Sequence, residues 1–147
     1  MEFNLGSIPR RGLKHLENLM INLLRVLTYP SVPLNEVSRL PRNPGVYYAF
    51  KGLKIQYIGL SRSLHKRWNA VGDRCHHRKH QLAAMGNVRI HYRLAEVNEI
   101  EYLEALEIER FNPPLNVLKP LNKICSNLVN PNLKPAQTGS TLDQRSG

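Results

Sequence analysis

Cysteine is nearly absent from this 147-residue chain, which carries only Cys75 and Cys125. Two thiols so far apart make neither a disulfide framework nor a four-ligand zinc spacing, and an intracellular setting, cytoplasmic or nucleoid-associated, is expected. Long hydrophobic runs are missing too. The most apolar segment, Leu13 to Leu27, is interrupted by Lys14, His15, Glu17, Asn18, Asn22 and Arg25, which excludes a signal or membrane-spanning helix and predicts an amphipathic one. Acidic residues are scarce: eleven Asp and Glu face twenty-one Lys and Arg, for a formal charge of +10 and a pI near 10.0. That excess favours a polyanionic partner such as nucleic acid. The basic residues do not gather beside an apolar run, so a membrane surface is not the expected polyanion. No internal repeat is present, and the length suits one core with tails.

Residues 1–42 read as a loose leader, an amphipathic helix and a proline-rich connector. Leu13, Leu16, Met20, Leu23, Leu24 and Leu27 recur at helical spacing and predict a face that packs on the domain, on a protein partner or on a second copy. Prolines 30, 33, 41 and 44 then impose an extended connector. A domain is expected over residues 43–118. It opens with a hairpin, Tyr47 to Phe50 and Ile55 to Gly59, rich in aromatic and β-branched residues and linked through Gly52. A helix begins at Leu64 to Trp68, and residues 76–85 are expected to resume one. Val88 to Leu94 alternate strictly, with Val88, Ile90, Tyr92 and Leu94 on one face and Arg89, His91 and Arg93 on the other, which predicts a strand with one basic face. Asn98 and Glu101 have the spacing of a capping box before a helix that ends at Asn112-Pro113-Pro114. Residues 119–147, rich in Asn, Pro, Lys and Ser, are expected to be a disordered tail.

In that last helix Ile100, Leu103, Ile108 and Phe111 form an apolar stripe, and Glu104 falls within it. A carboxylate there calls for a cation, a metal or hydrogen-bond donors, unless it reaches water from the edge of the stripe. Taken singly, Tyr47 and Tyr57 are ordinary strand tyrosines and Arg67 an ordinary helix charge. His76 and His80 have an i, i+4 spacing that suits zinc, but no third and fourth ligand accompanies them.

The order of several spaced segments is more specific. Gly45-Val46-Tyr47, Tyr57-Ile58-Gly59, the segment Ser61 to Arg67 and the closing run Glu104 to Asn116 together resemble the GIY-YIG nucleases, a family that includes homing endonucleases, the incision subunit of excision repair and branched-DNA resolving enzymes. The resemblance covers about residues 43–118. It implies an α/β fold with a three-stranded, mainly antiparallel sheet flanked by helices, to which this chain adds the N-terminal helix. It also implies a metal-dependent endonuclease acting on DNA phosphodiester bonds with one divalent ion, Mg²⁺ or Mn²⁺. On this resemblance Tyr47 assists water activation, Tyr57 orients water or phosphate, Arg67 stabilises phosphoryl charge and Glu104 binds the metal. Gly45, Gly59 and Asn116 take structural roles. The chain departs from the family at Leu60 and Val71, where polar groups are usual; His76 or His77 could restore one, and Glu107 stands where the family is apolar. Arg62, Lys66, Arg74, Arg78, Lys79, Arg89 and Arg93 are expected to track phosphates without reading sequence. A nucleic-acid-binding module that keeps the fold but has lost efficient catalysis is the alternative.

Overall fold

The computed structural model describes residues 10–116, and the expectations for the leader before residue 10, the tail at 119–147 and Cys125 fall outside them. Among the described residues four α-helices and four strands follow one another: α1 (Arg10–Leu27), β1 (Ser31–Pro33), β2 (Gly45–Lys51), β3 (Lys54–Ser61), α2 (Leu64–Asn69), α3 (Lys79–Met85), β4 (Val88–Leu94) and α4 (Ile100–Phe111), with short 3-10 helices at Leu34–Arg39 and Gly72–Arg74. Every strand pairing is antiparallel, in the order β1-β4-β2-β3. The expected α/β fold with a mainly antiparallel sheet and flanking helices is therefore present, with β1 as a short addition. β1 forms inside the proline-rich connector, where Pro33 is tolerated because the strand lies on the sheet edge.

The β2–β3 hairpin turns at Gly52, whose φ of +59° is costly for any residue with a Cβ. From Gly45 to Phe50 every residue of β2 is buried, because this strand lies between β3 and β4 and is covered on both faces. Tyr47, Ala49, Tyr57 and Ile90 face Leu64, Trp68 and Leu82 in one core cluster. Val46, Tyr48, Phe50 and Ile58 face Val26 and Ile108 in the other, with Leu23, Leu27, Leu103 and Phe111 at its margin. The hairpin thus sends its two functional candidates, Tyr47 and Tyr57, to the α2 side.

Three local expectations are corrected. The capping box at Asn98 does not form: the helix starts after Glu99 with no side-chain cap, and the amide of Ile100 donates to the Glu96 carbonyl instead. The helix expected over 76–85 begins only at Lys79, which leaves His76 outside it. The apolar face of α1 is divided: Leu23, Val26 and Leu27 pack on the sheet, whereas Leu13, Leu16, Met20 and Leu24 are exposed. Only the C-terminal turns of the helix lie over the sheet; His15, Asn18, Leu19 and Asn22 border a cleft with Leu106, Glu109 and Arg110 of α4, and the exposed leucines have no sheet beneath them.

What secures α1 is a charged contact. Glu107, 1% exposed, accepts from Arg25 Nη2 at 2.9 Å and from Arg110 Nη1 at 2.6 Å. A carboxylate withdrawn from water needs such partners, and both guanidiniums keep part of their surface in solvent, which limits the desolvation cost. Replacing Glu107 by Ala is expected to lower stability by about 1–3 kcal/mol and to loosen α1. Denaturant unfolding and amide exchange along α1 check this; unchanged protection in α1 contradicts it.

Candidate active site

β2 and β3 bring Tyr47 and Tyr57 side by side with ring centroids 6.2 Å apart. Tyr47 lies flat over Gly59, and a Cβ at Gly59 would sit 2.3 Å from the Tyr47 hydroxyl oxygen. Glycine at that position is therefore what lets the ring lie against β3. Gly45 has a comparable constraint, since a Cβ there would be 2.3 Å from the Arg93 carbonyl oxygen of β4. Asn116 clamps the outer edge of β3: its Oδ1 accepts from the Ile58 amide at 2.9 Å and its Nδ2 donates to the Ile58 carbonyl at 2.8 Å. The Leu115 amide adds a bond to the Gln56 carbonyl, so the chain after α4 closes part of the free strand edge.

α2 supplies Arg67. Ser63 caps this helix by accepting from the Lys66 amide, and Leu64 and Trp68 anchor it in the core. That places the Arg67 guanidinium where its charge favours ionisation of Tyr47, with Nη2 3.4 Å from His77 Nδ1. The segment between α2 and α3 supplies the histidines. His76 is fully buried, stacks on Trp68 at 4.2 Å and places Nε2 2.7 Å from the Tyr47 hydroxyl. His77 stacks on His76 at 5.1 Å and meets the edge of Tyr57. Glu104, half-buried on α4, projects its negative charge onto Tyr47 and Tyr57. Tyr47, Tyr57, Arg67, His76, His77 and Glu104 thus converge from five parts of the chain.

Burial dominates their electrostatics. It holds the Tyr47 hydroxyl far above the usual phenol range, with the Tyr57 hydroxyl adding to the rise and Arg67 opposing it. Tyr57 is raised for the same first reason and by Glu104 next. His76 is pushed down to about 3, chiefly by burial and then by the Arg67 charge, so it is neutral near pH 7.

The basic residues divide into groups. Arg62, Lys66 and Arg74 line an open groove of about 1050 Å³ together with Arg67 and Arg42, and no acidic side chain among the described ones lines it. Arg78 donates to Gln81, and Lys79 donates to the Trp68 carbonyl, which commits that ammonium to the fold. Arg89 and Arg93 lie on the opposite sheet face: register places Arg89 beside Phe50 and Arg93 beside Val46, and Arg89 donates to Ser31. The expected single basic surface is corrected accordingly, because strict alternation along β4 points its arginines away from Tyr47. Arg67 Nε and Arg78 Nε are buried without a hydrogen-bond partner among the described residues. Trp68 and Arg42 escaped the sequence reading. Arg42 sits in a connector with no periodicity, whereas Trp68, the chain's one tryptophan and next to Arg67, was a usable signal.

No protein-family model matches the chain, and no curated protein matches it in sequence. Among solved structures it is similar to the GIY-YIG N-terminal endonuclease domain of UvrC from Thermotoga maritima bound to its catalytic divalent cation, magnesium. The identity is 20% and the TM-score 0.46, over 56% of this chain and 93% of that one. A point mutant of the same domain, bound to its catalytic divalent cation, gives 20% identity and a TM-score of 0.46 over 57% and 93%. At that identity the likeness says nothing about chemistry, which depends on the side chains present here.

A buried neutral His76 has a consequence for stability. Between its ordinary value of 6.5 and about 3 the unfolded chain binds a proton that the folded chain does not, so stability falls as pH is lowered through that window. The expected slope from this group approaches about 1.4 kcal/mol per pH unit. Denaturant unfolding between pH 4 and 7 on wild type and on His76→Gln checks it. The variant should show a shallower slope, and equal slopes contradict the assignment.

Proposed function

We propose that the chain is a GIY-YIG nuclease whose domain, residues 43–118, hydrolyses DNA phosphodiester bonds with one divalent ion, Mg²⁺ or Mn²⁺. The observation that carries this reading is that the charges of Glu104 and Arg67 both act on Tyr47 and Tyr57 beside a cationic groove, where Arg67 Nε has no acceptor among the described residues. A buried guanidinium donor without a partner is costly, and a substrate phosphate in the groove would satisfy it.

The residues present fit a hard, oxygen-liganded ion. Among the described residues no group of three His, Cys, Asp or Glu could hold a metal, so a zinc centre built on His76 and His80 is not supported. Mg²⁺ keeps much of its water and accepts a single carboxylate plus substrate phosphate, which makes Glu104 a sufficient protein ligand. Such an ion, when bound, supplies Lewis-acid polarisation of a phosphoryl oxygen. Arg67 directs its planar fork at the charge developing on the phosphoryl group. Tyr57, nearer the solvent, orients the attacking water or the scissile phosphate. Tyr47 assists in taking the proton from that water as its phenolate, its own hydroxyl proton having first left on the Tyr57 side. Arg42, Arg62, Lys66 and Arg74 position the backbone without reading bases.

Nicking of supercoiled plasmid and of branched DNA with Mg²⁺ or Mn²⁺ tests the reading. Glu104→Ala should lower the rate by at least about a hundredfold, and equal cleavage by both proteins sinks the mechanism. The competing reading, a binding module without efficient catalysis, predicts salt-sensitive binding that is indifferent to Glu104 and to metal. Under either reading Arg62→Ala and Lys66→Ala should each reduce the slope of log affinity against log salt by about one. Arg89→Ala should leave that slope unchanged; anisotropy titrations over a salt series distinguish them.

A further inference from the structure

His76 is a histidine next to a tyrosine proposed to handle a proton, and the obvious role for it is to receive that proton. The hydrogen-bond network contradicts that role. Both ring nitrogens of His76 are engaged. Nδ1 lies 3.1 Å from the backbone nitrogen of Arg78, and Nε2 lies 2.7 Å from the Tyr47 hydroxyl oxygen. A backbone amide can only donate, so with the Arg78 amide 3.1 Å away Nδ1 presents its lone pair and carries no hydrogen; the carbonyl of His76 itself, which favours a ring proton, is the acceptor that competes with this arrangement. The neutral imidazole has one N–H to place, and Nε2 is the position left. That N–H points at Tyr47, whose oxygen accepts it.

We infer that His76 is a positioning residue that donates a fixed Nε2–H hydrogen bond to the Tyr47 hydroxyl oxygen, its tautomer set by the Arg78 amide. The ring has no room to reverse this arrangement. It is fully buried, sandwiched at 4.2 Å and 13° on Trp68, and flanked by the edges of Tyr47 and Tyr57 with centroids 5.5 Å away. Burial also keeps it neutral, since an imidazolium would aim a second N–H at the Arg78 amide and would stand beside the Arg67 cation.

The consequence for Tyr47 is directional. Its oxygen accepts from His76 and lies near the Arg67 cation, which can only donate. The hydroxyl proton is therefore turned away from both, towards the side where Tyr57 stands within hydrogen-bonding reach. The His76 donor and the nearby Arg67 charge favour its anionic form and offset part of the burial that opposes ionisation. Any proton that Tyr47 exchanges enters and leaves through the Tyr57 side, and His76 takes no part as acceptor.

The link to catalysis rests on the nuclease reading, but the tautomer does not, and the two are measured separately. Long-range ¹H–¹⁵N correlation spectra of the ¹⁵N-histidine-labelled protein at neutral pH report which ring nitrogen of each histidine carries hydrogen, with His76→Gln giving the assignment. The expected result is a pure Nε2–H tautomer for His76 that persists in Tyr47→Phe, because the Arg78 amide and not the tyrosine sets it. An Nδ1–H form, a mixture of tautomers or an imidazolium overturns the proposal, whether or not the protein cleaves DNA. If wild type cleaves, His76→Leu should lower kcat by roughly tenfold or more with KM within about twofold. A kcat left at the wild-type value overturns the positioning role. Absence of cleavage by wild type counts against the nuclease reading and leaves the spectra to decide this one.

Discussion

The position of the Tyr47 side chain is the constraint on which the rest of the site depends. Its ring occupies the space that a Cβ on Gly59 would take, its edge meets Trp68 of α2 at 5.2 Å, and its hydroxyl is held by His76 from the segment before α3. A sheet glycine, a helix tryptophan and a loop histidine therefore act on one phenol. Moving any of them moves the hydroxyl. This explains why Tyr47, 1% exposed, can be a core residue and a candidate functional group at once: the ring belongs to the hydrophobic cluster and only the oxygen addresses the site.

α4 divides two carboxylates between two tasks. Glu107 turns towards α1, where Arg25 and Arg110 both bond its Oε1 while Oε2 is buried without a hydrogen-bond partner among the described residues, and its charge serves packing. Glu104, three residues earlier, lies near enough to the tyrosine pair for its charge to raise both phenols. The rise that burial produces in both phenols is strengthened by Glu104 and opposed by Arg67, so the site contains a cation and an anion with contrary effects on the same hydroxyls. A divalent ion bound by Glu104 would change that balance by cancelling the carboxylate's charge next to Tyr57 and Tyr47.

Much of this was legible in the sequence because it is local. The aromatic and β-branched residues of Tyr47 to Phe50 and Ile55 to Gly59 described the hairpin, Gly52 marked the turn, and the alternation in Val88 to Leu94 assigned each side chain to its face. What the alternation could not say was which face held the site: Arg89 and Arg93 read as a phosphate-tracking row, yet they lie on the α1 side, where His91 is buried against Phe50. The apolar stripe of α4 drew attention to Glu104 as the carboxylate in need of a partner, whereas the more buried one is Glu107, whose partner Arg25 lies 82 residues away. Long-range pairing of that kind leaves no periodic trace. The same holds for His76, outside any helix and placed by its stack on Trp68 rather than by spacing. The choice between His76 and His77 was open in the sequence, and the fold gives them different neighbours, Tyr47 for the first and Arg67 for the second.

The central claim is that side chains far apart in sequence form one site that takes a single divalent ion at Glu104. Paramagnetic broadening by substoichiometric Mn²⁺, read on the assigned spectrum of wild type and of Glu104→Gln, tests it most directly. The account predicts broadening centred on Glu104, Tyr57 and the hydroxyl end of Tyr47 in wild type, reduced to background in Glu104→Gln. Broadening centred elsewhere, or undiminished in the variant, would contradict it.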